Sequence, residues 1–180
     1  MKDHANTDVR TAEPRRLGYS VRGLANWILD HAETVGYRHT NMGINKLVYF
    51  AVEAFLVERN ALLTNAKMEA WEHGPVFREL YQSFKSYGNG FIGGRAKSFS
   101  TASEEFEEAK IHLPPEEEAF LKSAIKPLLS CNASELRALS HREGGAWYSV
   151  WWYSGHTNPG MEISATRITQ IGTGGVFENT

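Results

Sequence analysis

Two histidines and a glutamate are the side chains best suited to chemistry in this sequence. His141 and Glu143 lie two apart near Trp147, and His73 precedes Gly74-Pro75. A histidine beside a carboxylate can act as general base or metal ligand, because its pKa lies near neutrality. Two positions apart across a predicted helix end, His141 and Glu143 point in different directions. No His-Glu-x-x-His or comparable ligand set occurs. Capping or hydrogen bonding therefore outweighs catalysis at both. His73 stands at what reads as a helix entrance, where free backbone amides attract anions; packing outweighs ligand binding there, and His73 is kept as a candidate partner contact. Gly93-Gly94 and Gly144-Gly145 lack the Lys and Ser/Thr of a phosphate-cradling loop. Cys131 is the only cysteine, so no intramolecular disulfide can form, and its surroundings suggest a structural thiol. The reading expects no catalytic set, no metal and no cofactor.

The aromatic run Trp147-Tyr148-Ser149-Val150-Trp151-Trp152-Tyr153 is more informative. Trp147 with Trp151, and Tyr148 with Trp152, are four apart and so stack on adjacent strips of one short helix. One strip can enter the core while the other stays outside as an anchor, since Trp and Tyr are enriched where partners bind. Trp147, Tyr148, Trp151 and Trp152 are the candidate partner-binding residues.

The elements that position these groups follow from periodicity and capping. Val21, Leu24, Ala25, Ile28, Leu29 and Ala32 recur at helical spacing behind Ser20, and Gly36 stops the helix. A second helix follows Thr40 and runs to about Arg59, apolar around most of its circumference, so it belongs at the centre of the domain. Met68 and Ala70 fit a brief extended segment. Gly74-Pro75 predicts the start of a third helix ending near Tyr87, with Pro75 at its first position. Residues 89–113 are irregular and fit a small hairpin, with Lys110 to Leu113 alternating as a strand would. A fourth helix follows Pro114-Pro115 and must kink or end at Pro127. Asn132 to Glu135 predicts a capping box for a fifth. A last helix is expected over Ser164 to Ile171.

The totals agree with one mainly α domain, a compact multi-helix unit around the central helix, over 19–171, flanked by tails at 1–18 and 172–180. The chain has 180 residues, 42% hydrophobic and 12% aromatic, enough for one core. A net charge of −2 argues against a nucleic-acid partner, which would require a basic field. No apolar run near the amino terminus resembles a secretory signal or a spanning helix, so the expected setting is cytoplasmic, with no membrane partner.

Three blocks of the sequence resemble the Panacea domain, found in antitoxins of toxin and antitoxin pairs and in mobile-element proteins that include SocA-like protease adaptors. The first is Thr40 with Ile44-Asn45-Lys46-Leu47-Val48-Tyr49-Phe50-Ala51. The second is Ala70-Trp71-Glu72-His73-Gly74-Pro75-Val76 with Leu80-Tyr81 and Phe84 to Gly88. The third runs from Leu136 to Trp147 and includes His141. Two departures stand out: Ala146 replaces the family's usual proline before the tryptophan, and the aromatic run is richer than the pattern.

The resemblance implies a helical domain that neutralises a cognate toxin, encoded by a neighbouring gene, by direct binding. Lys46, Tyr49, Trp71, Gly74, Pro75, Val76 and His141 would be mainly structural motif residues, with Trp71 and Val76 fixing the third helix against the central one. The alternatives are an adaptor that delivers a bound client to an ATP-dependent protease, and a small enzyme using His73, His141 and Glu143. Neither the toxin's class nor the oligomeric state is implied.

Overall fold

The computed structural model describes residues 13–172. Of the two expected tails, 1–12 and 173–180 lie outside the described residues. In chain order the elements are β1 Arg15–Arg16, α1 Val21–Thr34, α2 Asn41–Arg59, β2 Ala61–Leu62, β3 Met68–Trp71, β4 Gly74–Phe77, α3 Arg78–Phe84, β5 Lys97–Ser100, β6 Glu105–Glu108, α4 Pro115–Ile125, α5 Ala133–Ser140, α6 Ala146–Trp151 and α7 Ala165–Ile171. Helices dominate, and the strands pair only in twos.

The central helix is α2. Every residue from Gly43 to Leu56 is buried, because α1, α4, α5, α7 and β4 pack around it. Each large apolar side chain sealed there contributes about 1.5–3 kcal/mol relative to exposure. Local capping starts the helices where the sequence predicts. Ser20 Oγ accepts from the Gly23 amide at 3.3 Å and Thr40 Oγ1 from Gly43 at 3.2 Å. Such caps are worth about 1 kcal/mol each. Asn132 and Glu135 form both halves of the predicted capping box, and the chain turns into a 3-10 turn, Lys126–Leu128, at Pro127.

Three expectations are corrected. First, Gly74-Pro75 does not open a helix. Gly74–Phe77 is β4, antiparallel to β3 with Trp71 opposite Gly74 and Met68 opposite Phe77, and α3 starts only at Arg78. Glu72 and His73 form the turn, and Gly74 at φ +99° supplies a conformation that side-chain-bearing residues avoid. Pro75 is tolerated because a two-stranded ribbon is all edge. Second, the hairpin expected in 89–113 is β5–β6, and Lys110 to Leu113 is not a strand. Third, Arg15–Arg16 is parallel-paired with β2, and the Tyr19 amide donates to the Leu63 carbonyl at 2.8 Å, so the end of the stretch read as a tail is laced to the domain.

Candidate functional site

The β3–β4 hairpin carries the Trp71 to Val76 motif, and polar contacts hold it from three sides. On its outer side Glu69 is only 5% exposed yet charged. It accepts from the indole Nε1–H of Trp71 at 2.9 Å and from two guanidinium nitrogens of Arg78, the shorter at 2.8 Å. Burial works against its charge, but the Arg78 and Trp71 hydrogen bonds outweigh burial and hold its pKa below the usual carboxylate range. Arg78 also lies over the Trp71 ring, which packs on Tyr81 with centroids 5.1 Å apart.

On its inner side the hairpin meets a polar stripe on α2. Asn41, Asn45, Tyr49 and Glu53 recur every four residues on a helix that is apolar around most of its circumference. Asn45 spans the junction: its Nδ2 donates to Asn41, and its Oδ1 accepts from the Phe77 amide at 3.0 Å. Lys46, 1% exposed, donates from Nζ to the Pro75 carbonyl at 3.0 Å. Burial, with Arg137 adding to it, lowers the Lys46 pKa to about 7. Further along, Glu53 is completely buried and accepts from Tyr49 Oη at 2.9 Å and from Arg142 Nη2 at 2.9 Å. Burial raises the Glu53 pKa and Arg142 opposes that rise, while burial and the Glu53 charge push Tyr49 far above its ordinary value. Sequence reading singled out Lys46 and Tyr49 but missed Asn45, Glu53 and Arg142. The four-residue polar period on α2 was the available signal.

The third side is the segment from α5 into α6. His141 stacks on Trp147 with ring centroids 3.7 Å apart, and the Trp147 indole N–H donates to the Trp71 carbonyl at 2.9 Å. Burial, followed by the positive charges of Arg137 and Lys46, lowers the His141 pKa to about 4, although a backbone hydrogen bond with His73 opposes the shift. Such a ring is neutral at ordinary pH and suits packing. Glu143 is exposed, and among the described residues no interaction joins it to His141 or His73.

The aromatic run divides as its spacing predicts. Trp147 and Trp151 are buried and stacked at 5.4 Å, whereas Tyr148 is half-buried and Trp152 is 48% exposed. α6 ends at Trp151, so Tyr153 lies in the following 3-10 turn at 62% exposure. His73, in the hairpin turn, is exposed.

Between the hairpin, the first turns of α2 and the end of α3 lies a pocket of ≈ 380 Å³. Lys46, Trp71, Tyr81 and Lys85 are in its wall, with Glu72 and His73 at its rim. Among the described residues no three His, Cys, Asp or Glu side chains converge as a metal site requires, and no helix is long and apolar enough to cross a membrane.

The site is thus a buried polar stripe on a central helix that grips a Trp-Glu-His-Gly-Pro hairpin, which a later tryptophan closes from the far side. The family model described as Antitoxin SocA-like, Panacea domain, matches residues 44–148, the span from α2 into α6. The chain belongs to this family. Antitoxin SocA from Caulobacter vibrioides (strain NA1000 / CB15N) is 32% identical over 143 residues, covering 76% of this chain and 72% of its own length. No solved structure matches significantly.

Proposed function

We propose that this protein is an antitoxin that binds a cognate toxin directly and blocks it, in the cytoplasm and without catalysis or cofactor, the toxin being encoded by a neighbouring gene. Family membership across the whole hairpin-centred site carries this reading. The chemistry of the site supports it. Asn45 and Lys46 of α2 hold the hairpin, Tyr49 and Glu53 bond to each other and to Arg142, and the two histidines and Glu143 form no acid–base constellation. What faces solvent is a rigidly mounted surface: His73 on its turn, and Tyr148 and Trp152 outside the buried Trp147–Trp151 strip. A rigid surface loses little ordering entropy when a partner docks.

The test is co-expression with the neighbouring gene under separate inducible promoters. Restored growth and a co-purifying complex are expected. Growth arrest despite stable antitoxin, with no complex, overturns the reading. Toxin half-life in the same cells separates blocking, in which the toxin persists, from delivery to an ATP-dependent protease, in which it disappears.

A further inference from the structure

The β5–β6 hairpin is anchored firmly at its base and bare along its strands. At the base the buried Asn26 of α1 holds both legs. Its Nδ2 donates to the carbonyls of Ala96 and Ala109 at 2.9 and 2.8 Å, and its Oδ1 accepts from the Ala96 amide at 2.8 Å. Beside it Arg95 pairs with Asp30 and Glu33 of the same helix, each at 2.7 Å. Beyond that mount, among the described residues, the two strands pair only with each other. Phe99 and Phe106 lie opposite one another with ring centroids 5.5 Å apart, yet they remain 55% and 68% exposed. Every residue of β6 is exposed, so its outer edge is open.

The hairpin is also acidic. Between 97 and 108 the sequence sets Glu104, Glu105, Glu107 and Glu108 against a single base, Lys97. Among the described residues none of these four glutamates is in an ion pair. Exposed rings and an unpaired strand edge are liabilities for a protein that works alone, and a two-stranded hairpin is only marginally stable by itself. Three hydrogen bonds from one buried side chain nonetheless fix this one to α1.

We propose that β6 takes up an extended, basic segment of the bound toxin as a third strand, with Phe99 and Phe106 packing on its apolar residues and Glu105 and Glu107 pairing with its Lys or Arg residues. The proposal rests on the antitoxin reading for the identity of the partner. Strand alternation sets the pattern: Phe106 and Glu108 share one face of β6, Glu105 and Glu107 the other. The added segment is therefore expected to alternate apolar with basic residues. The charge narrows the occupant further. Nucleic acid and anionic lipid are repelled by it. A second copy adding along the same edge would set the glutamates of one β6 against those of the other, which is destabilising. A cationic protein segment meets both the charge and the open edge.

The test has two arms, both on the full chain. In the first, the end-blocked peptides Lys-Val-Lys-Val-Lys and Glu-Val-Glu-Val-Glu are titrated into 15N-labelled protein, reading the amides of 105–108. The lysine peptide is expected to shift these signals, the glutamate peptide is not, and Glu105→Lys with Glu107→Lys loses the response. Equal responses to both peptides, whether shifts or none, or an unchanged response in the variant, overturn the proposal. In the second arm toxin affinity is measured for the wild type, for that double variant and for Phe99→Ser with Phe106→Ser. All four positions are exposed, so melting temperatures stay near the wild-type value. Each double variant is expected to bind toxin about tenfold or more weakly, and added salt to weaken wild-type binding. If the wild type binds toxin and both variants bind it equally well, the strand proposal fails and the antitoxin reading stands. If the wild type binds no toxin, the antitoxin reading fails and the peptide titration alone decides whether β6 takes a basic strand. A wild-type dimer in sedimentation that the phenylalanine variant abolishes assigns the edge to a second copy and overturns the proposal.

Discussion

The indole N–H of Trp147 donates to the main-chain carbonyl of Trp71 at 2.9 Å, joining residues 76 positions apart. One side chain of α6 thereby closes the hairpin that α2 holds from beneath. Trp147→Phe keeps most of the ring's packing but leaves that carbonyl without its donor. It is expected to cost about 1–3 kcal/mol in urea unfolding. A Phe variant as stable as the wild type would show that the bond contributes nothing net.

Gly74 makes the closest approach in the site. A Cβ there would meet Lys46 Cε and Ser140 Oγ, each at 2.6 Å, on a backbone at φ +99°. Because Lys46 is fully enclosed, it has little room to yield. Gly74→Ala is expected to lose about 2 kcal/mol or more, from backbone strain and overpacking together, and to lower the melting temperature accordingly.

The Glu53–Arg142 pair is buried on the Glu53 side and hydrogen-bonded to Tyr49. Arg142→Met leaves a carboxylate in the core with only the Tyr49 hydroxyl, and a loss of about 3–5 kcal/mol is expected. The double variant Glu53→Gln with Arg142→Met removes the stranded charge and is expected to recover part of that loss. Chemical denaturation of the two single variants and the double variant measures the coupling.

The His141 ring gives the protein an acid sensitivity. Its pKa falls from 6.5 to about 4 on folding, so between those values the unfolded state binds the proton first. The contribution of His141 is complete above about pH 6.5 and is lost as pH falls toward 4. Glu53, raised by burial, acts in the opposite sense. The comparison of wild type with His141→Phe at pH 5 and pH 7 therefore isolates the histidine. The wild type is expected to lose more stability than the variant on moving to pH 5.

Trp152, just past the end of α6, and Trp147 within it test the outer and inner strips of the aromatic run against each other. Trp152→Ala removes an exposed ring and is expected to change stability by less than about 0.5 kcal/mol, while weakening toxin binding about tenfold or more if this strip is an anchor. Trp147→Ala is expected to damage folding first. Unaltered toxin affinity in Trp152→Ala would remove this strip from the interface.

Much of the helical frame is determined by the sequence itself, because the forces that start and stop helices act within about four residues. Ser20, Thr40, the Asn132–Glu135 box and Pro115 each act on near neighbours. The apolar residues around most of the circumference of α2 likewise place that helix at the centre whatever surrounds it. The split of the aromatic run into an inner and an outer strip follows from its four-residue spacing, although only the fold decides which strip faces inward.

The hairpin was beyond the reach of local rules. Gly74-Pro75 fits a helix entrance and a glycine-closed turn equally well. The choice falls to the Asn45 carboxamide, which takes the Phe77 amide from 32 residues away, and to Lys46, which takes the Pro75 carbonyl from 29 away. Those bonds exist only once α2 is packed against the strand. The stretch from Trp71 to Val76 therefore identifies the family from its residues alone, but tertiary contacts make it a strand. Long-range hydrogen bonds can satisfy backbone groups that the local sequence leaves open to more than one conformation.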